Sequence, residues 1–278
     1  MSAPAQRAAP PAQPGLFAPT APAAPAAAVP ATAAAASAHG VGQRDEAARV
    51  AAMDWPAIEA ELNEFGCALL PGLLSPAECA RLAASYAEPA LFRSRVVMER
   101  HGFGKGEYQY FAYPLPAPVA ALRRAFYRPL AAIANRWQAA LGLSQRYPVG
   151  HEAYLARCHV AGQPRPTPLL LQYRAGDYNC LHQDLYGDEV FPLQVAVLLS
   201  QPGEDFDGGQ FVLTEQRPRM QSRAEVVPLR RGDAVVFPVA QRPVSGGRGV
   251  YRVNMRHGVS RLLSGRRHTL GLIFHDAS

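Results

Sequence analysis

Residues 172–184 read QYRAGDYNCLHQD, and the fold turns on this run. Its first residues close an apolar stretch, Leu169–Tyr173; Gly176 and Asp177 supply a turn, and the chain then re-extends to His182 and Asp184. Alternate side chains of an extended backbone project from one face, so the His182 imidazole and the Asp184 carboxylate can reach one metal ion. The pair alone is weak: 8 histidines and 22 acids scattered over 278 residues give about 0.6 such spacings by chance. A third ligand is needed.

Outward from that run the texture is β. Apolar stretches at Leu169–Tyr173, Leu193–Leu199, Gln210–Leu213, Glu225–Pro228, Ala234–Phe237, Val250–Met255 and His268–His275 are separated by Gly, Pro and Asp clusters. The gaps are too short for helical crossovers, which excludes a parallel α/β sheet and predicts a double-sheet jelly roll or barrel. Upstream, Asp54-Trp55-Pro56 predicts a capped helix ending at Gly66, and Cys67–Leu70 a short strand. Ser75-Pro76-Ala77-Glu78 is a capping-box start for a helix to about Tyr86. Leu122, Phe126, Leu130, Ile133, Trp137 and Leu141 mark a long helix over 118–141, with a shorter one over 152–160. Helices first and strands afterwards is α+β order: helical support over 45–165 and a jelly-roll core over 166–278.

Composition bounds the rest. Residues 1–44 open an Ala/Pro-rich tail, with 18 Ala and 8 Pro in the first 40 positions, and are expected to be disordered. The four cysteines are widely spaced with no CxxC pair, which excludes a disulfide scaffold and a structural zinc knot. A reducing, cytoplasmic setting without membrane segments is expected. The net charge of +6 is concentrated: residues 217–267 hold twelve arginines against two acids, Glu225 and Asp233, which reads either as a phosphate-tracking surface or as a solvated face.

Candidates for the third ligand are His257, His268 and His275. A 2-His-1-carboxylate set leaves one side of an octahedral iron open for cosubstrate and dioxygen. His257 follows the Val250–Met255 strand, and Arg267 lies ten residues beyond it, after a turn at Gly265. Were the His257 end and the Arg267 start neighbouring antiparallel positions, a guanidinium would stand close to the metal, aimed at a dicarboxylate, with Thr269 on the same strand face. Arg266 is the alternative cation. Thr269 reads equally as an ordinary strand residue, and Tyr173 as a core aromatic. His268 and His275 are expected to be structural.

With these residues in place, the sequence resembles the Fe(II)/2-oxoglutarate-dependent dioxygenases over about Leu169–Asp276. Gln172–Asp184 is similar to the AlkB-type DNA repair enzymes, with Tyr173 and Gly176 at matching distances before His182. Gly208-Gly209, Arg231–Phe237 and His257-Gly258 are similar instead to prolyl hydroxylases. The bacterial group it looks most like is described as oxygenases acting on damaged DNA. The resemblance implies a double-stranded β-helix, Fe(II) held by His182, Asp184 and His257, and 2-oxoglutarate anchored by Arg267, Tyr173 and Thr269. It further implies ascorbate as a reductant and dioxygen as a substrate, with alkylated DNA or RNA, a peptide or a small molecule being hydroxylated. Leu171 and Phe274 stand where the AlkB-type pattern carries Asn and Arg, so base recognition is not carried over residue by residue. A non-catalytic jelly-roll module is the reading from another class. The stretch Arg95–Phe111, mixing glycines, basic groups and aromatics, reads as a substrate lid or as a hairpin loop.

Overall fold

Local signals in the helical half are met by the expected contacts. A computed structural model describes Glu46–Ser278 apart from Tyr186 and Arg248; the expectation for residues 1–44 lies outside the described residues. After α1 (Glu46–Ala51), α2 (Trp55–Phe65) starts where Asp54 Oδ1 accepts the Ala57 amide at 3.1 Å. It stops at Gly66, whose φ of 80° suits glycine and where a Cβ would come within 2.7 Å of Met255 Cε. Strand β1 (Ala68–Leu70) leads to α3 (Pro76–Ala84), whose capping box is complete: Ser75 Oγ accepts from Glu78 N at 3.3 Å, and Glu78 Oε2 accepts from Ser75 N at 2.7 Å. Arg49 clamps the same carboxylate from α1 at 2.8 and 2.9 Å.

The segment read as a lid or a hairpin is a hairpin. Strands β2 (Phe92–Val97) and β4 (Glu107–Phe111) pair antiparallel and extend a sheet, while β3 (Gly104–Lys105) pairs elsewhere. Helices α4 (Ala117–Ala140) and α5 (His151–Val160) follow, then β5 (Leu169–Arg174), β6 (Tyr178–His182), β7 (Leu193–Leu198) and β8 (Phe206–Gly208). The chain closes with β9 (Phe211–Gln216), β10 (Arg223–Val227), β11 (Ala234–Pro238), β12 (Gln241–Gly246), β13 (Gly249–Val259) and β14 (Leu262–Leu272).

These strands make two antiparallel sheets, the α+β jelly roll that the sequence predicts. The major sheet runs β1-β11-β7-β14-β5-β4-β2, with β8 on β14; the minor sheet runs β10-β9-β13-β6-β3, with β12 on β13. Leu122, Phe126, Leu130, Ile133 and Trp137 of α4 join Leu170, Val195, Val197, Val236, Leu270 and Leu272 in one core cluster. The helix thus covers one face of the major sheet, and the other face turns inward. That double burial explains why β7 is buried at every position and reads as an unbroken apolar run rather than alternating.

Candidate metal and cosubstrate site

Strand β6 delivers His182 and the residue after next delivers Asp184, while β13, its antiparallel neighbour, delivers His257 directly opposite His182. Residues directly opposite on antiparallel strands share a face of the sheet, and pairing becomes irregular only beyond this pair, between His257 and Val259, so both imidazoles turn to the inside of the roll. Their rings lie 4.2 Å apart. His182 Nε2 is 3.4 Å from Asp184 Oδ1, and His257 Nε2 is 3.3 Å from Asp184 Oδ2. One atom from each residue can be chosen with all three within 4.8 Å of one another. Ligands about 2.1 Å from one ion and at right angles to each other stand about 3 Å apart, and each imidazole nitrogen here stands near that distance from one of the two carboxylate oxygens.

Local electrostatics prepare the set. His182 Nδ1 lies 2.8 Å from the Cys180 carbonyl, which can only accept, so Nδ1 carries the proton and Nε2 offers its lone pair inward. Burial works to raise the Asp184 pKa, but the two facing imidazoles hold it well below the ordinary carboxylate value. Burial lowers the His257 pKa, as does His182 beside it; for His182, Asp184 outweighs burial and raises the pKa. Phe237 packs 4.7 Å from the His257 ring and Phe211 stacks on it at 6.1 Å, fixing the imidazole in an apolar wall.

Arg267 stands on the other sheet, which corrects the expectation of adjacent positions. Strand β13 pairs with β6, β9 and β12, whereas the Arg267 half of β14 pairs with β5, opposite Tyr173. The turn at 260–261 carries the chain from one sheet to the other, so the ten-residue spacing spans the sandwich interior instead of a ladder. Arg267 is 1% exposed, donates to Thr269 Oγ1 at 2.6 Å and packs beside the Tyr173 and Phe206 rings. Among the described residues no carboxylate pairs with it, and its buried Nε has no partner. Burial brings its pKa down to about 10. Tyr173 is fully buried, which raises its pKa, while Arg267 and a hydrogen bond with Asn179 work against that; its ring lies 5.7 Å from the Arg267 guanidinium. A buried unpaired cation beside two hydroxyls fits a carboxylate ligand.

The alternatives fall elsewhere. Arg266 is exposed on the opposite face of β14. His268 bonds to Gln172 at 2.9 Å on that outer face, and His275 Nδ1 accepts from Phe191 N at 3.2 Å in the interior. Sequence reading missed two residues. Gln194 of β7 reaches Asp184 Oδ2 at 2.8 Å, and Tyr108 of β4 is buried in register with Leu171 and Thr269 near Asp184. Neither belongs to a local motif; only the sheet order brings them inward.

Residues 106–277 match the family Oxygenase-NA, described as an oxygenase "catalysing oxidative methylation of damaged DNA". The chain belongs to this family. Membership makes it an oxygenase, and His182, Asp184 and His257 form a group that could hold a metal ion. Over 168 residues it is 48% identical to a protein of Mycobacterium tuberculosis, present in two strains and called uncharacterized, covering 60% of this chain and 72% of that one. Among solved structures, a 2OG-Fe(II) oxygenase family oxidoreductase from Burkholderia pseudomallei aligns at 17% identity and TM-score 0.49, covering 82% of this chain and 94% of that chain. A Trichoplax adhaerens prolyl hydroxylase, solved with a hypoxia inducible factor peptide, aligns at 14% identity and TM-score 0.48, covering 78% and 86%. Among the described residues no helix is long and apolar enough to cross a membrane.

Proposed function

We propose that this oxygenase hydroxylates alkyl groups on nucleic acid, N-methyl groups included, with His182, Asp184 and His257 as iron ligands. The observation that carries the metal reading is the convergence of His182 Nε2, His257 Nε2 and one buried carboxylate. Bound there, Fe(II) with 2-oxoglutarate and dioxygen supplies the oxidising power to hydroxylate a C–H bond, with succinate and carbon dioxide as coproducts. Arg267 binds the far carboxylate of 2-oxoglutarate through its free N–H groups, Thr269 steers the guanidinium through its hydroxyl, and Tyr173 donates the second hydrogen bond. Phe206, Phe211 and Phe237 exclude water from this wall of the cavity. On an N-methyl group the hydroxylated carbon leaves as formaldehyde and the amine regains its hydrogen.

The substrate class rests on the family description and on charge. Strand β13 alternates buried Val253, Met255 and His257 with exposed Arg252, Asn254 and Arg256, so the strand that presents an iron ligand inward presents two arginines outward. The test is succinate and formaldehyde formation from 2-oxoglutarate and methylated single-stranded DNA with Fe(II) and ascorbate. Proline-containing peptides serve as the competing substrate. Alanine at His182, Asp184 or His257 is expected to abolish both products. Glutamate at Arg252 and Arg256 is expected to weaken DNA binding and reduce its salt dependence by about one per arginine removed. Peptide hydroxylation without formaldehyde release from DNA would reject the nucleic-acid reading while leaving the cofactor chemistry standing.

A further inference from the structure

Strand β7 (LQVAVL) contains one polar side chain, Gln194, and that residue is 4% exposed. A carboxamide buried in an apolar strand costs stability unless its groups are bonded. Here Nε2 lies 2.8 Å from Asp184 Oδ2 and 3.5 Å from His257 Nε2. Gln194 belongs to the major sheet, paired with Phe237, so its amide crosses the interior to touch two ligands contributed by or beside the minor sheet.

We infer that Gln194 is a positioning residue for the metal, an assignment that rests on reading His182, Asp184 and His257 as its ligands. One consequence follows from an N–H donor at this point. A six-coordinate ion that must take a chelating oxo acid and dioxygen has three positions for protein. A carboxylate free to turn can chelate through both oxygens and fill a fourth. The Gln194 hydrogen bond holds Oδ2, the oxygen that faces His257 Nε2 at 3.3 Å, and so opposes the turn that would bring both oxygens onto the ion.

The test compares the metal-free full chain with Gln194→Met and Gln194→Leu, which fill the space of the side chain and remove the donor, and with Asp184→Ala. Cobalt(II) is titrated by its visible absorption, and 2-oxoglutarate chelation is read anaerobically from the charge-transfer band of the ferrous complex. Both Gln194 variants are expected to bind cobalt about 10–100-fold more weakly than wild type and to lose intensity in the ferrous band, with the circular dichroism of the fold retained. Should the methionine variant fail to fold, the leucine variant carries the comparison. Wild-type cobalt affinity with an unchanged ferrous band in a folded variant overturns the role of Gln194. Absence of cobalt binding in the wild type, or its persistence in Asp184→Ala, overturns the metal reading itself and this assignment with it.

Discussion

Replacing Arg267 by methionine should make the metal-free protein more stable and the enzyme blind to its cosubstrate. The guanidinium is fully buried, has one hydroxyl partner and no carboxylate among the described residues. A cation whose pKa falls from 12.5 to about 10 carries a cost of ~3 kcal/mol in its charged form. The sign follows from proton linkage. The native state holds this proton less tightly than the unfolded chain does, so the penalty is complete below pH 10 and is relieved as the pH climbs from there toward 12.5. At neutral pH, Arg267→Met removes the charge, keeps an unbranched side chain against Tyr173 and Phe206, and recovers part of that cost. Since 1 kcal/mol moves the melting temperature of a domain this size by about 2–4 °C, a rise of several degrees is expected. Loss of a buried charge-assisted contact costs about 2–5 kcal/mol of binding, roughly 30- to several-thousand-fold in 2-oxoglutarate affinity. The assay is thermal unfolding with and without manganese(II) and 2-oxoglutarate, with calorimetry for the affinity. If the variant melts below wild type while still gaining stability from 2-oxoglutarate, the guanidinium is a structural cation and its assignment to the cosubstrate is wrong.

A Cβ at Gly258 would stand 2.6 Å from the Asn179 carbonyl of β6, so Gly258→Ala should force the β6 and β13 ligand strands apart. Thermal unfolding and cobalt titration should show about 1–3 kcal/mol lost in stability together with weaker metal binding, whereas unchanged cobalt affinity would show that the two strands yield without moving their histidines. The Glu78 carboxyl is held at about 2, first by its hydrogen bonds from Arg49 and also by those from Ser75, so its contribution is present above its ordinary value of 4.5 and disappears as pH falls from there through 2. Melting temperatures compared at about pH 6 and about pH 3 should converge between wild type and Glu78→Gln as the pH falls; a constant gap would assign the helix start to packing alone.

Much of this was legible in the chain because it depends on neighbours in sequence. Asp54, Ser75 and Glu78 cap helices through atoms three residues away, and the His182–Asp184 spacing needs only an extended backbone to point both groups one way. The alternation along Val253–His257 likewise fixes which side of β13 faces inward. Strand order is another matter, since it depends on pairings between residues far apart in the chain. Ten residues from His257 to Arg267 look like a return along one ladder, yet the turn at 260–261 sends the chain to the opposite sheet, where Arg267 is buried beside Tyr173. Gln194, one polar residue in an apolar run, gains its meaning only because β7 lies across the interior from Asp184. The stretch 95–111 becomes a hairpin because β5 offers β4 an open edge to pair with. Local chemistry wrote the His182–Asp184 pair and the caps; long-range packing chose what stands opposite them, since register between distant strands is settled by burying their inward faces together.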